Sequence, residues 1–500
     1  MAAEHRSSFP TLNDLLHGYV DAPLIPIQGI ASDSRQLEGG FLFLACQGMS
    51  SHGLDYLAEA QAAGVSAVAY DATTADAPES IGVPMIAINN LSAKLGEIAN
   101  RFFGRPSESL GVIGVTGTNG KTTVAWLMAE CSQLLGERCG YLGTLGYGID
   151  DIRDSGGMTT PAAIELQGRL AEFVDQDARF AAIEISSHAL AQGRVDGVSF
   201  EAVLFTNLTR DHLDYHADMQ DYFESKARLF LEFDANSRIV NIDSEFGLQL
   251  ASRCGQEVVV VSTKPDRATN GRPHLFVREV IANADGSDFV FSSSWGDGRV
   301  SVPLPGDFNV ANAAIVLASL LKLGVELGTA CDVMSKVNAP PGRMQRVLAE
   351  GAAVYVDYAH TPNAVDAALR ALKAHCRGRL WCVFGCGGDR DAGKRSLMAG
   401  VVEQLADRVV ITSDNPRSED PLAIIDDVVS GLTRPELATV IEDRAAAIAW
   451  AIDNAEAEDT ILIAGKGHED YQQIGTERRP FSDYAVAEGA LAVGANGGSQ

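Results

Sequence analysis

Apolar runs and helical stripes alternate along most of this chain, and their spacing divides it into three stretches. In the first, residues 41–44, 65–69 and 83–88 are apolar runs of strand length, with helical patterning over 54–63 and 91–103. Gly104, Arg105, Pro106 and Ser107 interrupt that pattern and read as a linker. The second stretch opens with the apolar run Gly111-Val112-Ile113-Gly114-Val115 and a helix after Lys121, followed by strands at 180–185, 202–205 and 238–242. Residues 274–302 alternate as hairpins do, with a turn signal at Asp285-Gly286, and 308–323 return to helix. Pro340, Pro341 and Gly342 mark a second boundary. Beyond it, strands at 354–356, 380–384, 408–412 and 460–464 alternate with helices near 362–376, 395–405, 421–432 and 443–455. The tail from Gly494 to Gln500 reads as unstructured, and no internal repeat is evident.

The pattern predicts an α/β chain of three domains. Residues 1–104 form a small N-terminal α/β domain, and 105–338 a central, mostly parallel sheet domain with a β-hairpin region. Residues 339–500 form a C-terminal, Rossmann-like doubly wound domain, in which ligands collect at the carboxyl ends of strands. A length of 500 residues agrees with three cores.

Composition narrows the function. Hydrophobic residues make up 46% and charged residues 21%, as in globular proteins. No apolar run approaches the roughly 18 residues of a membrane span. The start Met1-Ala2-Ala3-Glu4-His5-Arg6 lacks a secretory pattern, so a cytoplasmic protein without membrane insertion is expected. A net charge of -27 argues against nucleic acid as a partner but not against phosphates held by a few local cations. The eight cysteines include no Cys-x-x-Cys pair, which makes buried reduced thiols the expectation.

The strongest chemical signal is Gly117-Thr118-Asn119-Gly120-Lys121-Thr122-Thr123, placed between an apolar strand and a helix. Its glycines let backbone N–H groups turn toward phosphates at a helix N-terminus, making the central domain P-loop ATPase-like. Lys121 is expected on the phosphate oxygens of ATP, and the Thr122 hydroxyl on Mg²⁺. A strict Gly-x4-Gly-Lys-Thr loop has glycine where this chain has Val115, so the loop is a variant. Glu184 ends an apolar strand and is followed by Ser186, Ser187 and His188. Asn207, Asp211, His212 and His216 follow another strand, so both clusters can face the loop. Lys226 reads, from pattern alone, as an exposed helix lysine.

The variant loop, following Gly114-Val115-Thr116, resembles the Mur ligase and folylpolyglutamate synthetase superfamily, and Asp33-Ser34-Arg35, Met158-Thr159-Thr160-Pro161, Gly306-Asp307-Phe308-Asn309, Gly342-Arg343-Met344 and Asp414-Asn415-Pro416-Arg417 extend the likeness to its Mur ligases. Those enzymes make amide bonds through acyl phosphates. The full set of segments is similar to the Mur branch that adds meso-diaminopimelate to a UDP-muramoyl dipeptide, working as a monomer on small molecules. The resemblance implies that Ser32, Ser34, Met49, Ser50 and Ser51 hold the UDP portion. It assigns Thr159, Thr160, Ser186, Gln192 and Arg194 to the muramoyl dipeptide, and Asn309 and Arg343 to ATP. It makes Glu184 and His212 ligands of Mg²⁺, alongside Thr122, and a carbamylated Lys226 a ligand of a second Mg²⁺.

In the third domain residue chemistry supports the resemblance. Arg417 offers a planar fork for a carboxylate, on a turn stiffened by Pro416, while Arg390, Gly465 and Glu469 follow other strand ends. With Asp414 and Asn415 they suit an amino acid bearing a second amino-carboxylate end. A folylpolyglutamate synthetase would need neither a UDP-binding domain nor the 414–417 segment. A nucleotide-gated binding module would bind ATP without amino-acid-dependent phosphate release.

Overall fold

A computed structural model describes residues 9–48, 50–153, 157–264, 266–283, 286–348 and 351–497, with side chains to 492. Met49 and Asp285 lie outside the described residues. The chain forms two compact units, Met1–Val260 with Asn270–Pro273, and Val261–Thr269 with His274–Gln500.

In the first unit, strands Gly29–Ala31, Phe41–Ala45, Ala67–Asp71 and Met85–Ile88 pair in parallel in chain order. Alternate residues serve its two faces. Leu42 and Leu44 pack with Leu15, Ile98 and Phe102, whereas Phe43 and Ala45 pack with Ala60 and Val68. Both faces are covered, so the strands read as unbroken apolar runs.

Further along the same unit, strands follow in the spatial order Ala235–Asn241, Phe200–Phe205, Gly111–Thr116, Phe180–Glu184, Cys139–Gly143 and Gly146–Gly148. The first five are parallel and the last turns back as a hairpin. The pattern reading misses Cys139–Gly143, whose two glycines weaken its strand signal. Helix Ala163–Asp175 is also missed.

In the second unit, His274–Asn283, Gly286–Ser293 and Gly298–Val302 form the antiparallel hairpins that alternation predicts. Six strands then order as Gln345–Val347, Ala353–Asp357, Thr460–Ala464, Leu380–Phe384, Arg408–Ile411 and Ala438–Val440, parallel except the first. Leu380, Cys382 and Phe384 face helices Pro362–His375, Gly393–Leu405 and Pro421–Val429. Trp381 and Val383 face Arg444–Asn454 and Asp483–Gly497. This is the doubly wound sheet. Thr460–Ala464 returns between Ala353–Asp357 and Leu380–Phe384, which puts the switch in strand order at their carboxyl ends. The tail departs from expectation: the closing helix runs to Gly497, with alanines at 485, 487, 490 and 492 favouring it.

Candidate active site

The strand Gly111–Thr116 delivers the chain into the glycine turn at the N-terminus of helix Lys121–Leu134. Gly117 has φ 148°, and a Cβ there would lie 1.9 Å from Thr206 Oγ1, so only glycine fits. Asn207 clamps the turn: its carbonyl accepts from Thr118 N (2.9 Å), its Oδ1 from Asn119 N (3.0 Å), and its Nδ2 donates to Asn119 O (3.0 Å). The ammonium of Lys121 donates to Gly117 O (3.0 Å) and Thr118 O (2.8 Å).

Lys226 departs from its pattern reading. It is 1% exposed, and its Nζ donates to the same Gly117 carbonyl at 2.9 Å, 4.6 Å from the Tyr222 ring centre. Burial, and then the charge of Lys121, push its pKa well below that of an ordinary lysine. A signal was present: Lys226 sits in the stripe Tyr222, Phe223, Leu229 and Phe230, the buried face of helix Met219–Leu231.

Glu184, 1% exposed, is held on both oxygens. Oε1 accepts from Tyr141 OH (2.6 Å) and Thr144 N (2.9 Å), and Oε2 from Thr122 Oγ1 (3.0 Å) and Thr144 Oγ1 (3.2 Å). His212 is half-exposed at φ 52°, with its ring 5.0 Å from that of His188. Burial lowers the His212 pKa, against the pull of Asp211. Among the described residues no group of three or more His, Cys, Asp or Glu side chains could hold a metal ion. Mg²⁺ asks for less, since it takes one or two protein oxygens and keeps water and phosphate for the rest. The adjoining Thr122 hydroxyl and Glu184 carboxylate fit that demand, and the Lys121 ammonium at the glycine turn fits a polyphosphate.

Other predicted residues gather beside Glu184. Thr160 Oγ1 donates to Glu184 O (2.8 Å) and accepts from Ser186 N (3.1 Å), while Arg194 Nη1 donates to Thr160 O (2.8 Å). Arg194 Nε also donates to Gln192 Oε1 (2.9 Å), and Thr159 meets Thr144 at 3.1 Å. In the four-stranded sheet, Ser32 and Ser34 follow Gly29–Ala31, and Ser50 and Ser51 follow Phe41–Ala45, so all four stand beyond the carboxyl ends of paired parallel strands.

In the second unit Asn309 is buried, with Nδ2 donating to Pro305 O (2.9 Å). Arg343 lies 4.7 Å from the Tyr358 ring centre, on a turn where a Cβ on Gly342 would lie 2.1 Å from His468 N. Asp357 braces that turn by accepting from Met344 N and Ala359 N, both at 2.8 Å.

The carboxyl edge of the six-stranded sheet brings the remaining residues together. Asn415 Nδ2 donates to Glu469 Oε2 (2.7 Å), Gly388 N to Asn415 O (2.9 Å), and Arg417 Nη1 to Gly388 O (2.8 Å). Arg417 has φ 53° and is held through its own N–H to Gln473 O (3.1 Å). Gln472 Nε2 donates to Asp414 O (2.8 Å), and Arg390 is exposed near this edge. The hairpin Tyr471–Ile474 with Glu477–Pro480, which supplies Gln472 and Gln473, has no clear sequence signal. Lys466, also missed, is fully buried here.

The geometry can be set against known proteins. The Mur ligase middle domain model matches residues 115–320, the Mur ligase glutamate ligase domain model 342–467, and the Mur ligase family catalytic domain model 26–103. The chain belongs to the Mur ligase family. It is 45% identical over 472 residues to the UDP-N-acetylmuramoyl-L-alanyl-D-glutamate--2,6-diaminopimelate ligase of Pseudomonas putida, covering 93% of this chain and 95% of that one. The enzyme of the same name from Pseudomonas aeruginosa is 44% identical, with the same coverage. A solved structure of a ligase of this name matches with a TM-score of 0.74 at 32% identity, over 97% of this chain and 99% of that chain. The fold is thus the three-domain Mur ligase fold, and this Mur ligase is an ATP-dependent enzyme using Mg²⁺.

Proposed function

We propose that this Mur ligase joins meso-2,6-diaminopimelate to UDP-N-acetylmuramoyl-L-alanyl-D-glutamate, converting ATP to ADP and phosphate in peptidoglycan precursor synthesis. The observation that carries the reading is the hydrogen-bonded path from Glu469 through Asn415 and Gly388 to Arg417. It holds a carboxylate and a guanidinium on one sheet edge, as an amino acid with a second ammonium and carboxylate requires.

In the reaction, an oxygen of the terminal D-glutamyl carboxylate attacks the γ-phosphorus of ATP and ADP leaves. The amine of diaminopimelate then attacks the acyl carbon, loses a proton, and phosphate departs as the amide forms. Both steps crowd anions together, so charge neutralisation outweighs acid–base chemistry. The glycine turn, Gly117 to Thr123 in number, supplies backbone N–H groups and Lys121 an ammonium, while Asn309 and Arg343 serve the nucleotide. Thr122, Glu184 and His212, with a carbamylated Lys226 for a second ion, would hold Mg²⁺, which when bound would supply electrostatic stabilisation of phosphoryl oxygens.

Carbamylation of Lys226 belongs to the same proposal. CO₂ adds to a neutral amine, and burial disfavours the ammonium form here. Ser32, Ser34, Met49, Ser50 and Ser51 take the UDP group. Thr159, Thr160, Ser186, Gln192 and Arg194 take the muramoyl dipeptide, and Arg390, Asp414, Asn415, Pro416, Arg417, Gly465 and Glu469 the incoming amino acid. The three roles fall to domains 1–104, 105–338 and 339–500 of a cytoplasmic monomer. Among the described residues no helix is long and apolar enough to cross a membrane.

Phosphate release with UDP-muramoyl dipeptide and either diaminopimelate or L-lysine tests the reading. Release with diaminopimelate alone is expected. Release with neither would sink the ligase assignment, and preference for lysine the specificity.

A further inference from the structure

The carboxyl edge of the six-stranded sheet contains a cation that the proposed reaction leaves without a task. Lys466 follows strand Thr460–Ala464, between Gly465 at φ 122° and Gly467 at φ 54°, and is 0% exposed. Its Nζ donates to Asn415 Oδ1 at 2.9 Å and lies 3.4 Å from Glu469 Oε2 and 3.7 Å from Asp414 Oδ1.

An ammonium only donates, so it requires the oxygen of Asn415, not the nitrogen, to face it. Gln473 N donates to the same Oδ1 at 2.8 Å. The Asn415 amide is thereby fixed with its NH₂ toward Glu469, to which it donates at 2.7 Å. Both donors meet Glu469 on Oε2, and Oε1 accepts no hydrogen bond among the described residues. The carboxylate is oriented with one oxygen in reserve.

The charges of this buried group point the same way. Arg444 pairs with Asp483 through two contacts of 2.7 Å, both side chains being 0% exposed, and its Nη2 donates to Ala464 O. Within this group Lys466 and Arg444 set two positive charges against the three carboxylates Asp414, Glu469 and Asp483. Glu469 is the most accessible of the five, its side chain 18% exposed against 9% for Asp414 and 0% for the others. The most open carboxylate of such a group is suited to an incoming ammonium.

We propose that Lys466 is a positioning residue for the amino-acid substrate: through Asn415 it aims the Glu469 carboxylate at a substrate ammonium without touching the substrate. This rests on reading the sheet edge as the diaminopimelate site.

The test compares Lys466→Met, Glu469→Gln and the double variant in the full-length chain, measuring kcat, KM for diaminopimelate, KM for ATP and melting temperature. Lys466→Met is expected to raise the diaminopimelate KM about tenfold and leave kcat and the ATP KM within about threefold. In the Glu469→Gln background the same change is expected to add less than about twofold, because the carboxylate it orients is gone. Full multiplication of the two effects, or a fall in kcat with a matching rise in the ATP KM, overturns the positioning role. If Lys466→Met does not fold, Lys466→Gln, which keeps a donor without the charge, carries the same comparison. An unchanged diaminopimelate KM in Glu469→Gln overturns the reading of the site itself. A raised KM there with none in Lys466→Met overturns the positioning role alone.

Discussion

Nζ of Lys226 donates to the carbonyl oxygen of Gly117 at 2.9 Å, tying a helix to the phosphate turn 109 residues earlier. Lys121 donates to the same oxygen at 3.0 Å, so Gly117 keeps a partner when Lys226 is lost. Replacing a buried amine by an apolar side chain of similar length removes its desolvation cost. Lys226→Met is therefore expected to leave the melting temperature unchanged or higher while kcat falls at least about a hundredfold. Thermal denaturation beside steady-state kinetics checks both parts, and an active Lys226→Met enzyme would contradict the role given to this side chain.

Glu184 accepts four hydrogen bonds, from Tyr141, Thr122 and twice from Thr144. Glutamine in its place sets an NH₂ group against one of those donors and removes a negative charge. Glu184→Gln is expected to raise the Mg²⁺ concentration for half-maximal rate by about tenfold or more and to lower stability by about 1–3 kcal/mol. Magnesium titrations of the rate and a urea melt measure the two effects.

Arg417 donates through Nη1 to Gly388 O, and under the proposed function its remaining N–H groups meet a substrate carboxylate. Lysine cannot both make that bond and present a fork to a carboxylate. Arg417→Lys is expected to raise the diaminopimelate KM by roughly tenfold to a hundredfold, with ATP binding nearly intact. Isothermal titration with a non-hydrolysable ATP analogue separates the two; an equal loss of nucleotide affinity would place Arg417 elsewhere.

His468 is packed against Tyr358, and its Nδ1 is buried with no hydrogen-bond partner. Burial, and then the charge of Arg343, lower its pKa from 6.5 to about 4, with Asp470 opposing. The unfolded chain then binds more protons than the folded one between those values. The contribution is complete above pH 6.5 and is lost as pH falls toward about 4. Stability is expected to rise over that window by on the order of 2 kcal/mol, and His468→Asn to flatten the rise. Urea unfolding at steps of pH for both proteins measures the difference.

How much was legible depended on whether the information was local. Strand, glycine turn and helix are neighbours in the chain, so the phosphate loop is readable from residues 111–134. The doubly wound third domain is equally legible, because strands buried on both faces, such as Leu380–Phe384, must be apolar throughout. Cys139–Gly143 escaped notice because its glycines carry little strand preference. Lys226 was misread for the opposite reason. Its charge suggested water, while the stripe of Tyr222, Phe223, Leu229 and Phe230 around it indicated the core.

By itself, then, the sequence determined which chemical groups stand at the ends of which strands, since periodicity and turn chemistry act over a few residues. Only the tertiary structure decided what those groups do to one another. Asn415, Glu469 and Gln473 lie up to 58 residues apart and Lys466 51 from Asn415, yet they share one hydrogen-bonded group. Burial removes the water that would otherwise satisfy each of them, and no local pattern reports which distant partner replaces it.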